Sequence, residues 1–303
     1  MNYEEKLLMK ISIHQMCSST DHSVNVNAMV NAIRQSSLAG ASMYFAPEMS
    51  LLIDKDRERA LHSLTSPSFA ASINKLSSVA SEQAIWVHVG SVPVVNERTG
   101  KLANRSIVFG PDGAVHGSYD KMHLFDVNLS SGESWRESQA YESGVGPVAV
   151  ETPFGLMGLT ICYDLRFPSL YAKLISMGVT LIAVPAAFTV PTGEAHWHTL
   201  LKARAIEAEA FVVAAAQSGH HEDGRQTFGH SLVIDPWGEV LLDMGKSEGL
   251  GFADVSIARL MDVRRQIPVH ENARDIGEQV QVFDLKGHNV LSGKMPGRSQ
   301  DDW

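Results

Sequence analysis

The chain has 303 residues, of which 44% are hydrophobic and 19% charged, and it carries a net charge of −9. A chain of this length and apolar content can bury a sizeable core, and its low charged fraction excludes extensive disorder. The acidic balance lacks the basic surface that nucleic acids require, and no apolar run reaches the length of a membrane span. Two cysteines are too few for a disulfide scaffold, so we expect a reducing, cytoplasmic setting.

The hydrophobic pattern changes between strand and helix periods along most of the chain. Strands are predicted at residues 10–15, 43–45, 84–92, 106–109, 114–119, 148–151, 156–161, 181–184, 211–216, 231–234, 239–242 and 251–255. Helices are predicted at residues 23–37, 67–82, 169–177, 194–210 and 256–266, and residues 121–146 form a long irregular stretch. This order predicts an α/β fold with mixed sheets, in one domain over residues 10–285 that is followed by a tail over 286–303.

Cys162 lies where a short apolar strand ends, shortly before a helix that is predicted to begin near Pro168. A strand-to-helix turn can hold a side chain out into a cleft, and a nearby helix N-terminus favours an anion there. Because the thiolate is the nucleophilic form of cysteine, this position suits covalent catalysis. The alternative is an inert thiol that packs in the core.

Two further polar residues lie at predicted strand ends. Glu48 follows the strand at 43–45, and Lys121 follows the hairpin strand at 114–119. A thiol that attacks a carbonyl needs a base for its proton and a donor for the oxyanion, and these residue types supply both. Side chains at neighbouring strand ends can converge, although spacing alone does not show that they do.

Three segments resemble the signature motifs of the nitrilase-like carbon–nitrogen hydrolase superfamily. They are Phe45-Ala-Pro-Glu48, Tyr119-Asp-Lys121-Met-His123-Leu-Phe-Asp126-Val and Cys162-Tyr-Asp164-Leu-Arg166-Phe-Pro168. The resemblance extends from residue 10 to about residue 274. It implies a four-layer α-β-β-α sandwich, a homodimer or larger homo-oligomer, and hydrolysis of a small-molecule amide by water without a cofactor.

The resemblance also implies roles for individual residues. Cys162 would be the nucleophile and Glu48 the general base. Lys121 would stabilise the tetrahedral intermediate together with the backbone N–H of Tyr163. On physical grounds, the lysine cation is expected to keep the carboxylate ionised and to lower the pKa of the thiol.

A second active-site glutamate is expected in the irregular stretch. Glu137-Ser138 resembles the pair that supplies this glutamate in the family, where it is thought to hold the lysine and contact the substrate amide. Glu133-Ser134 contains the same dipeptide and is the competing candidate, but its spacing fits the motif less well.

Asp164 and Arg166 flank the nucleophile closely. We predict that they form an ion pair that fixes the turn after the strand, because arginine suits bidentate pairing with a carboxylate. In this interpretation neither side chain takes part in the chemistry.

Several of the 13 histidines are close together in the sequence, which raises the question of a metal site. Zinc needs a small set of ligands that converge on one point. His196 and His198 are two residues apart on a predicted helix, so they point to different faces, and no metal is expected. The other histidines that suggest a metal are the pair His220-His221 and His230.

The segments at residues 186–197, 200–207, 214–222 and 229–231 resemble the branch of the superfamily that hydrolyses deaminated glutathione. They supply His196, Trp197 and His221 as candidate substrate-binding residues, with Arg225 close by. His221 and Arg225 could meet a substrate carboxylate, since an anionic acyl end needs a cationic partner. A solvated surface loop is the alternative for this segment.

Other functions remain open at this stage. Within the superfamily they are an omega-amidase acting on 2-oxoglutaramate-type amides, a true nitrilase and an N-carbamoyl hydrolase. Outside it, the chain could be a catalytically idle scaffold in which Cys162 is merely buried. The presence of Glu48, Lys121 and Cys162 together argues against the scaffold.

Overall fold

The computed structural model describes residues 8–96, 98–128, 134–275, 280–283 and 289–292, and the chain divides into two units, Met1–Ile267 and Pro268–Trp303. In the described part of the first unit the helices are α1 His22–Leu38, α2 Arg57–Leu64, α3 Pro67–Gln83, α4 Pro168–Ser176, α5 Val190–Ala208 and α6 Ile257–Gln266. The strands there are β1 Leu8–Gln15, β2 Met43–Phe45, β3 Trp86–His88, β4 Val92–Val95, β5 Leu102–Phe109, β6 Val115–Asp120, β7 Asp126–Asn128, β8 Ser134–Arg136, β9 Val148–Thr152, β10 Gly155–Leu159, β11 Leu181–Ala183, β12 Phe211–Ala214, β13 Ser218–His220, β14 Gln226–Phe228, β15 Leu232–Ile234, β16 Val240–Asp243 and β17 Gly249–Ser256. Short 3-10 helices lie at Glu137–Gln139 and Cys162–Arg166.

The second unit contains a short helix and a hairpin. These are α7 (Val269–Asn272) and the antiparallel strands β18 (Val280–Phe283) and β19 (Asn289–Ser292). Strand β19 falls in the segment that the sequence assigns to a tail, because its few apolar residues are surrounded by polar ones and glycine. The domain boundary at residue 285 stays a prediction.

Two mixed sheets form the centre of the first unit. The first has the order β17-β1-β2-β3-β5-β4, with β6 also paired to β5, and the second has the order β16-β15-β12-β11-β10-β9. In each sheet three central strands are parallel, β1-β2-β3 in one and β10-β11-β12 in the other, and the pairs outside them are antiparallel. The mixed α/β fold predicted from the sequence is confirmed.

Side-chain alternation along the strands explains how the layers stack. Ile11 and Ile13 of β1 and Phe45 of β2 belong to a core cluster that also contains the second sheet, whereas Tyr44 of β2 belongs to a cluster with α1 and α3. Successive strand residues face opposite sides of a sheet, so the two faces of β2 contribute to different clusters. On the far side, Trp197 and Leu201 of α5 pack on the second sheet. The layers are therefore helix, sheet, sheet and helix.

The helix boundaries follow from local chemistry. Ser66 caps α3 by accepting a hydrogen bond from the N–H of Phe69, as the sequence predicts. Helix α5 begins at Val190, four residues earlier than predicted, because Pro191 suits the first turn of a helix. Helix α2 was not predicted, since none of its residues is fully buried and only Ala60 and Leu64 pack against the core. In the described part of the chain, no helix combines the length and apolar character that crossing a membrane would need.

Candidate active site

Three residues that follow different strands meet in one place. Glu48 follows β2, Lys121 follows β6, and Cys162 lies three residues after β10. The ammonium Nζ of Lys121 is 3.0 Å from Oε1 of Glu48, and the charges of both side chains act on the Cys162 thiol. All three side chains are buried. The convergence that the sequence left open is therefore present, although the residues are far apart along the chain.

Cys162 is held by an unusual backbone turn. Its N–H donates a hydrogen bond to the carbonyl of Pro185 at 2.9 Å, and its φ is +50°. A non-glycine residue adopts this left-handed conformation at a cost in free energy, and such residues are concentrated at functional sites. The turn leads from β10 into the short helix Cys162–Arg166 and holds the sulfur against Glu48.

The backbone that carries Glu48 is packed closely from below. Gly90 has φ +76°, and a Cβ at this position would lie 1.9 Å from the carbonyl oxygen of Pro47. Only glycine fits here, both for its conformation and for its lack of a side chain. The second carboxylate oxygen of Glu48, Oε2, accepts a hydrogen bond from the N–H of Ala187 at 2.9 Å. The carboxylate is therefore fixed between its neighbours.

Glu137 joins the group from the irregular stretch. Its Oε2 atom accepts hydrogen bonds from Lys121 Nζ at 2.8 Å and from the N–H of Phe125 at 2.7 Å. The competing candidate, Glu133, lies outside the described residues. Glu48, Lys121, Glu137 and Cys162 line the same cavity, and we refer to these four residues as the cavity floor.

Asn104 is a buried member of this arrangement that the sequence analysis missed. Its Nδ2 donates to Glu48 Oε1 at 2.9 Å and lies 3.4 Å from Glu137 Oε1, while its Oδ1 has no hydrogen-bond partner. The amide thus contacts both glutamates. The available sequence signal was one amide in strand β5, beside the polar residues Arg105 and Ser106.

Burial and the neighbouring charges on the cavity floor shift the pKa values of Lys121 and Cys162. Burial alone would lower the pKa of Lys121, but the carboxylates of Glu137 and Glu48 outweigh it and raise this pKa well above its usual range. Burial also raises the pKa of the Cys162 thiol well above its usual range, and the charge of Glu48 adds to this more than Lys121 offsets it. The expected lowering of the thiol pKa by Lys121 is present, but burial and Glu48 outweigh it, so the thiol is protonated at neutral pH.

The predicted ion pair between Asp164 and Arg166 is also wrong. Asp164 is fully buried and accepts hydrogen bonds from the Tyr119 hydroxyl at 2.7 Å, from His123 and from the N–H of Ile161. These donors come from β6 and from the turn itself, so they satisfy the carboxylate without a guanidinium. They also fix the turn to β6, which is the positioning role expected of Asp164.

Arg166 points instead into a cavity of about 640 Å³ above the floor. Its guanidinium lies 5.4 Å from the centre of the Phe188 ring and 3.2 Å from the His196 ring nitrogen. The cationic side chains that line the cavity are Lys55, Arg57, Lys101, Lys121, Arg136, Arg166 and Arg225, and the anionic ones are Glu48, Asp54 and Glu137. Seven cations thus face three carboxylates in a protein whose net charge is −9.

Three of these arginines form what we call the cationic wall: Arg57, Arg136 and Arg166. Within the residues that the structure describes, none of them has an ion-pair partner. Arg57 donates to the Gln139 amide, and Arg136 donates to backbone carbonyls and to Asn128. Their charges are therefore available to an anionic ligand.

The predicted substrate-binding residues separate into two groups. Arg225 lines the cavity, paired with Asp223 at 2.7 Å and stacked over the Trp135 ring. His196, Trp197 and His221 are not among the lining residues. Trp197 is buried and donates to a backbone carbonyl, His221 is buried between Ser18 and Thr227, and His196 is exposed on α5 beside Arg166.

Comparison with known proteins agrees with this geometry. A family model described as carbon-nitrogen hydrolase matches residues 10–265. The deaminated glutathione amidase of Synechocystis sp. is 38% identical over 258 residues, which cover 84% of this chain and 94% of that protein. The deaminated glutathione amidase of Bos taurus is 35% identical over 268 residues, covering 87% and 81%. The crystal structure of the C. elegans NitFhit protein is 31% identical with a TM-score of 0.84, covering 94% of this chain and 72% of that one. The three motifs, the layered fold and these similarities together establish that the chain belongs to the carbon–nitrogen hydrolase family.

Proposed function

We propose that Cys162 attacks the carbonyl carbon of an amide while Glu48 accepts the thiol proton. The influence of the Glu48 carboxylate on the thiol and the raised pKa of the thiol favour proton transfer during the attack rather than before it. The C–N bond then breaks as Glu48 returns the proton to the departing nitrogen, which leaves a thioester on Cys162 and a free amine. Water, deprotonated by Glu48, hydrolyses the thioester and restores the thiol.

In this mechanism Lys121 and the backbone N–H of Tyr163 stabilise the oxyanion of each tetrahedral intermediate. Tyr163 follows the nucleophile directly and lines the cavity. Glu137 holds the Lys121 ammonium in place through the 2.8 Å contact, and Glu48 does so from the other side at 3.0 Å. The observation that supports this mechanism most strongly is the meeting of Glu48, Lys121 and Cys162 on the floor of one cavity.

The enzyme is an amidase, and we propose deaminated glutathione as its substrate. This compound carries one carboxylate on each side of the amide bond that would be cleaved, and its hydrolysis gives 2-oxoglutarate and a cysteinylglycine dipeptide. The similarity to the deaminated glutathione amidases of Bos taurus and Synechocystis sp. supports the proposal. The cationic wall supports it independently, because unpaired arginines favour a ligand with more than one carboxylate.

A substrate panel tests both parts of the proposal. We expect kcat/KM for deaminated glutathione to exceed that for 2-oxoglutaramate by about tenfold or more, since one charged contact is worth about 1.5–3 kcal/mol. A simple nitrile should not be turned over. Release of 2-oxoglutarate, ammonia and free dipeptide amine would be measured separately.

Two outcomes would contradict the proposal in distinguishable ways. If 2-oxoglutaramate were hydrolysed as well as deaminated glutathione, the enzyme would not recognise the leaving dipeptide, although the thiol mechanism would stand. If Cys162→Ala retained activity with a correctly folded protein, the mechanism itself would be wrong.

We further propose a cytoplasmic homodimer. Two free cysteines suit a reducing compartment. The exposed apolar side chains Ile206 and Met261, on α5 and α6, and Trp237 offer a surface for a second copy. Sedimentation equilibrium measures the mass, and a monomer at micromolar concentration would contradict the dimer.

A further inference from the structure

Three potential metal ligands from different elements meet outside the active site. His198 lies in α5, His230 lies in the turn between β14 and β15, and Asp243 ends β16. His198 Nε2 is 3.0 Å from one Asp243 oxygen, and His230 Nδ1 is 2.9 Å from the other. One ligand atom from each residue lies within 4.8 Å of the other two. None of the three lines the catalytic cavity.

This set of donors is suited to a zinc-type ion. Two imidazole nitrogens and one carboxylate oxygen are ligands that Zn²⁺ takes in tetrahedral sites with a water as the fourth ligand. Bonds of about 2.0–2.2 Å place tetrahedral ligands about 3.3–3.6 Å apart. The two His–Asp separations, 3.0 and 2.9 Å, are slightly shorter than this, and all three ligand atoms lie within 4.8 Å of one another, so side-chain rotations would admit an ion.

The ligands are held in place by a second layer of contacts. His230 has φ +54°, a conformation that non-glycine residues adopt at a cost. Its N–H donates to the Gly245 carbonyl, and its own carbonyl accepts from the Trp197 indole at 2.7 Å. The N–H of Gly245 in turn donates to Asp243 at 2.9 Å. Such outer contacts orient ligands before a metal arrives.

The cluster is accessible to solvent, and its three residues belong to elements that a bound ion would connect. The side chains of His198, His230 and Asp243 are 37%, 22% and 35% exposed, so solvent and a metal ion can reach them. We propose that these three residues bind one divalent transition-metal ion of the zinc type. The ion would tie α5 to the β15–β16 hairpin and stiffen the side of the cavity that the start of α5 forms, without entering the reaction.

Metal titration of a thiol-free protein tests the site. In a tag-free Cys17→Ser/Cys162→Ala background, we expect one equivalent of Co²⁺ to bind and to give the visible absorption of a tetrahedral complex. Zn²⁺ should displace it, and Mg²⁺, which prefers oxygen ligands, should not. His198→Ala and Asp243→Asn should each weaken Co²⁺ binding at least about tenfold, since even loss of an outer contact costs about 10–100-fold.

The matched control is His62→Ala, which removes an exposed helical histidine away from the cluster and should leave binding unchanged. Thermal unfolding gives a second readout, because Zn²⁺ should raise the Tm of the parent but not of the cluster variants. The proposal is overturned if the parent shows no saturable binding. It is equally overturned if folded His198→Ala/His230→Ala binds Co²⁺ with parental affinity, which would leave the cluster a hydrogen-bonded array only.

Discussion

The charges of the cavity floor are paired with one another, whereas those of the cationic wall form no ion pair in the described part of the chain. On the floor, Lys121 is buried between Glu48 and Glu137, and every charge has a partner within 3.0 Å. On the wall, Arg57, Arg136 and Arg166 form no ion pair within the described chain, and Arg136 has Asp126 as its cross-strand neighbour. Paired charges hold a fixed geometry for chemistry, whereas unpaired charges attract and orient a ligand. In the proposed mechanism the floor would determine the catalytic rate and the wall the choice of substrate.

The largest expected effect comes from removing the cation of the floor. Lys121→Met leaves two buried carboxylates without compensation, so we expect a loss of about 3–5 kcal/mol in the free energy of unfolding. Loss of the oxyanion partner should also lower kcat by about 10²–10³-fold or more. Urea unfolding and steady-state kinetics measure the two effects.

A double variant separates stability from catalysis on the floor. Lys121→Met/Glu137→Gln removes one of the two uncompensated charges and should recover part of the stability, but no activity. Recovery of both, or of neither, would show that the charges of the floor do not act as a unit.

A smaller loss of activity is expected when Asn104, the neutral side chain between the two glutamates, is replaced by a carboxylate. Asn104→Asp places a third carboxylate beside Glu48 and Glu137, which disfavours ionisation of the group as a whole. We expect kcat at neutral pH to fall about 10–100-fold and the pH profile to change shape. Asn104→Leu, similar in size but uncharged, should lower kcat without that change. An identical profile for both variants would reduce Asn104 to a packing role.

Changing the wall should affect substrate binding rather than the chemical step. Arg166→Met removes one unpaired cation, and we expect KM for deaminated glutathione to rise about tenfold with kcat nearly unchanged. A neutral amide should show no difference between the variant and the parent, which controls for structural damage. An equal loss on both substrates, or a fall in kcat alone, would argue that the wall does not select for charge.

The smallest expected effect is a loss of folding stability at acidic pH through the buried histidines His88 and His14. Burial lowers the pKa of His88 to about 3 and that of His14 to about 4, so both are neutral when folded and become charged on unfolding below pH 6.5. The unfolded chain then binds more protons, and stability must fall as pH drops from 6.5 towards 4. Between pH 6.5 and 5.5 we expect a loss of about 1 kcal/mol per histidine.

Urea unfolding across this pH range measures the slope. His88→Gln, which cannot titrate, should be less stable at pH 7 but should lose less stability in acid. His88 Nδ1 accepts the N–H of Gly90 beneath Pro47, so this variant tests whether the floor depends on a neutral imidazole. A slope equal to that of the parent would contradict the assignment.

The parts of the site that the sequence reveals are those encoded locally. Glu48 and Cys162 each follow an apolar strand and Lys121 follows a hairpin strand, so the hydrophobic pattern and the turn residues mark where these strands end. Their motifs then resemble a known family, so the fold and the central residues are predictable. Strands β7 and β8, in contrast, lie in a polar stretch without a clear period.

What the sequence does not reveal depends on contacts between distant segments. The partners of Asp164 include Tyr119, 45 residues away, whereas the nearby Arg166 contacts His196 instead. Asn104 looks like an ordinary strand residue until two glutamates are placed beside it. The joining of His198 to Asp243 spans 45 residues and is equally invisible to spacing.

The protonated state of Cys162 has a consequence beyond turnover. Electrophiles and peroxides react with the thiolate form of cysteine. A thiol that stays protonated when no substrate is bound therefore reacts with them slowly. The resting protein should tolerate oxidative conditions that inactivate enzymes with a permanently ionised cysteine. Its vulnerability is confined to the brief moments when the thiol has given up its proton.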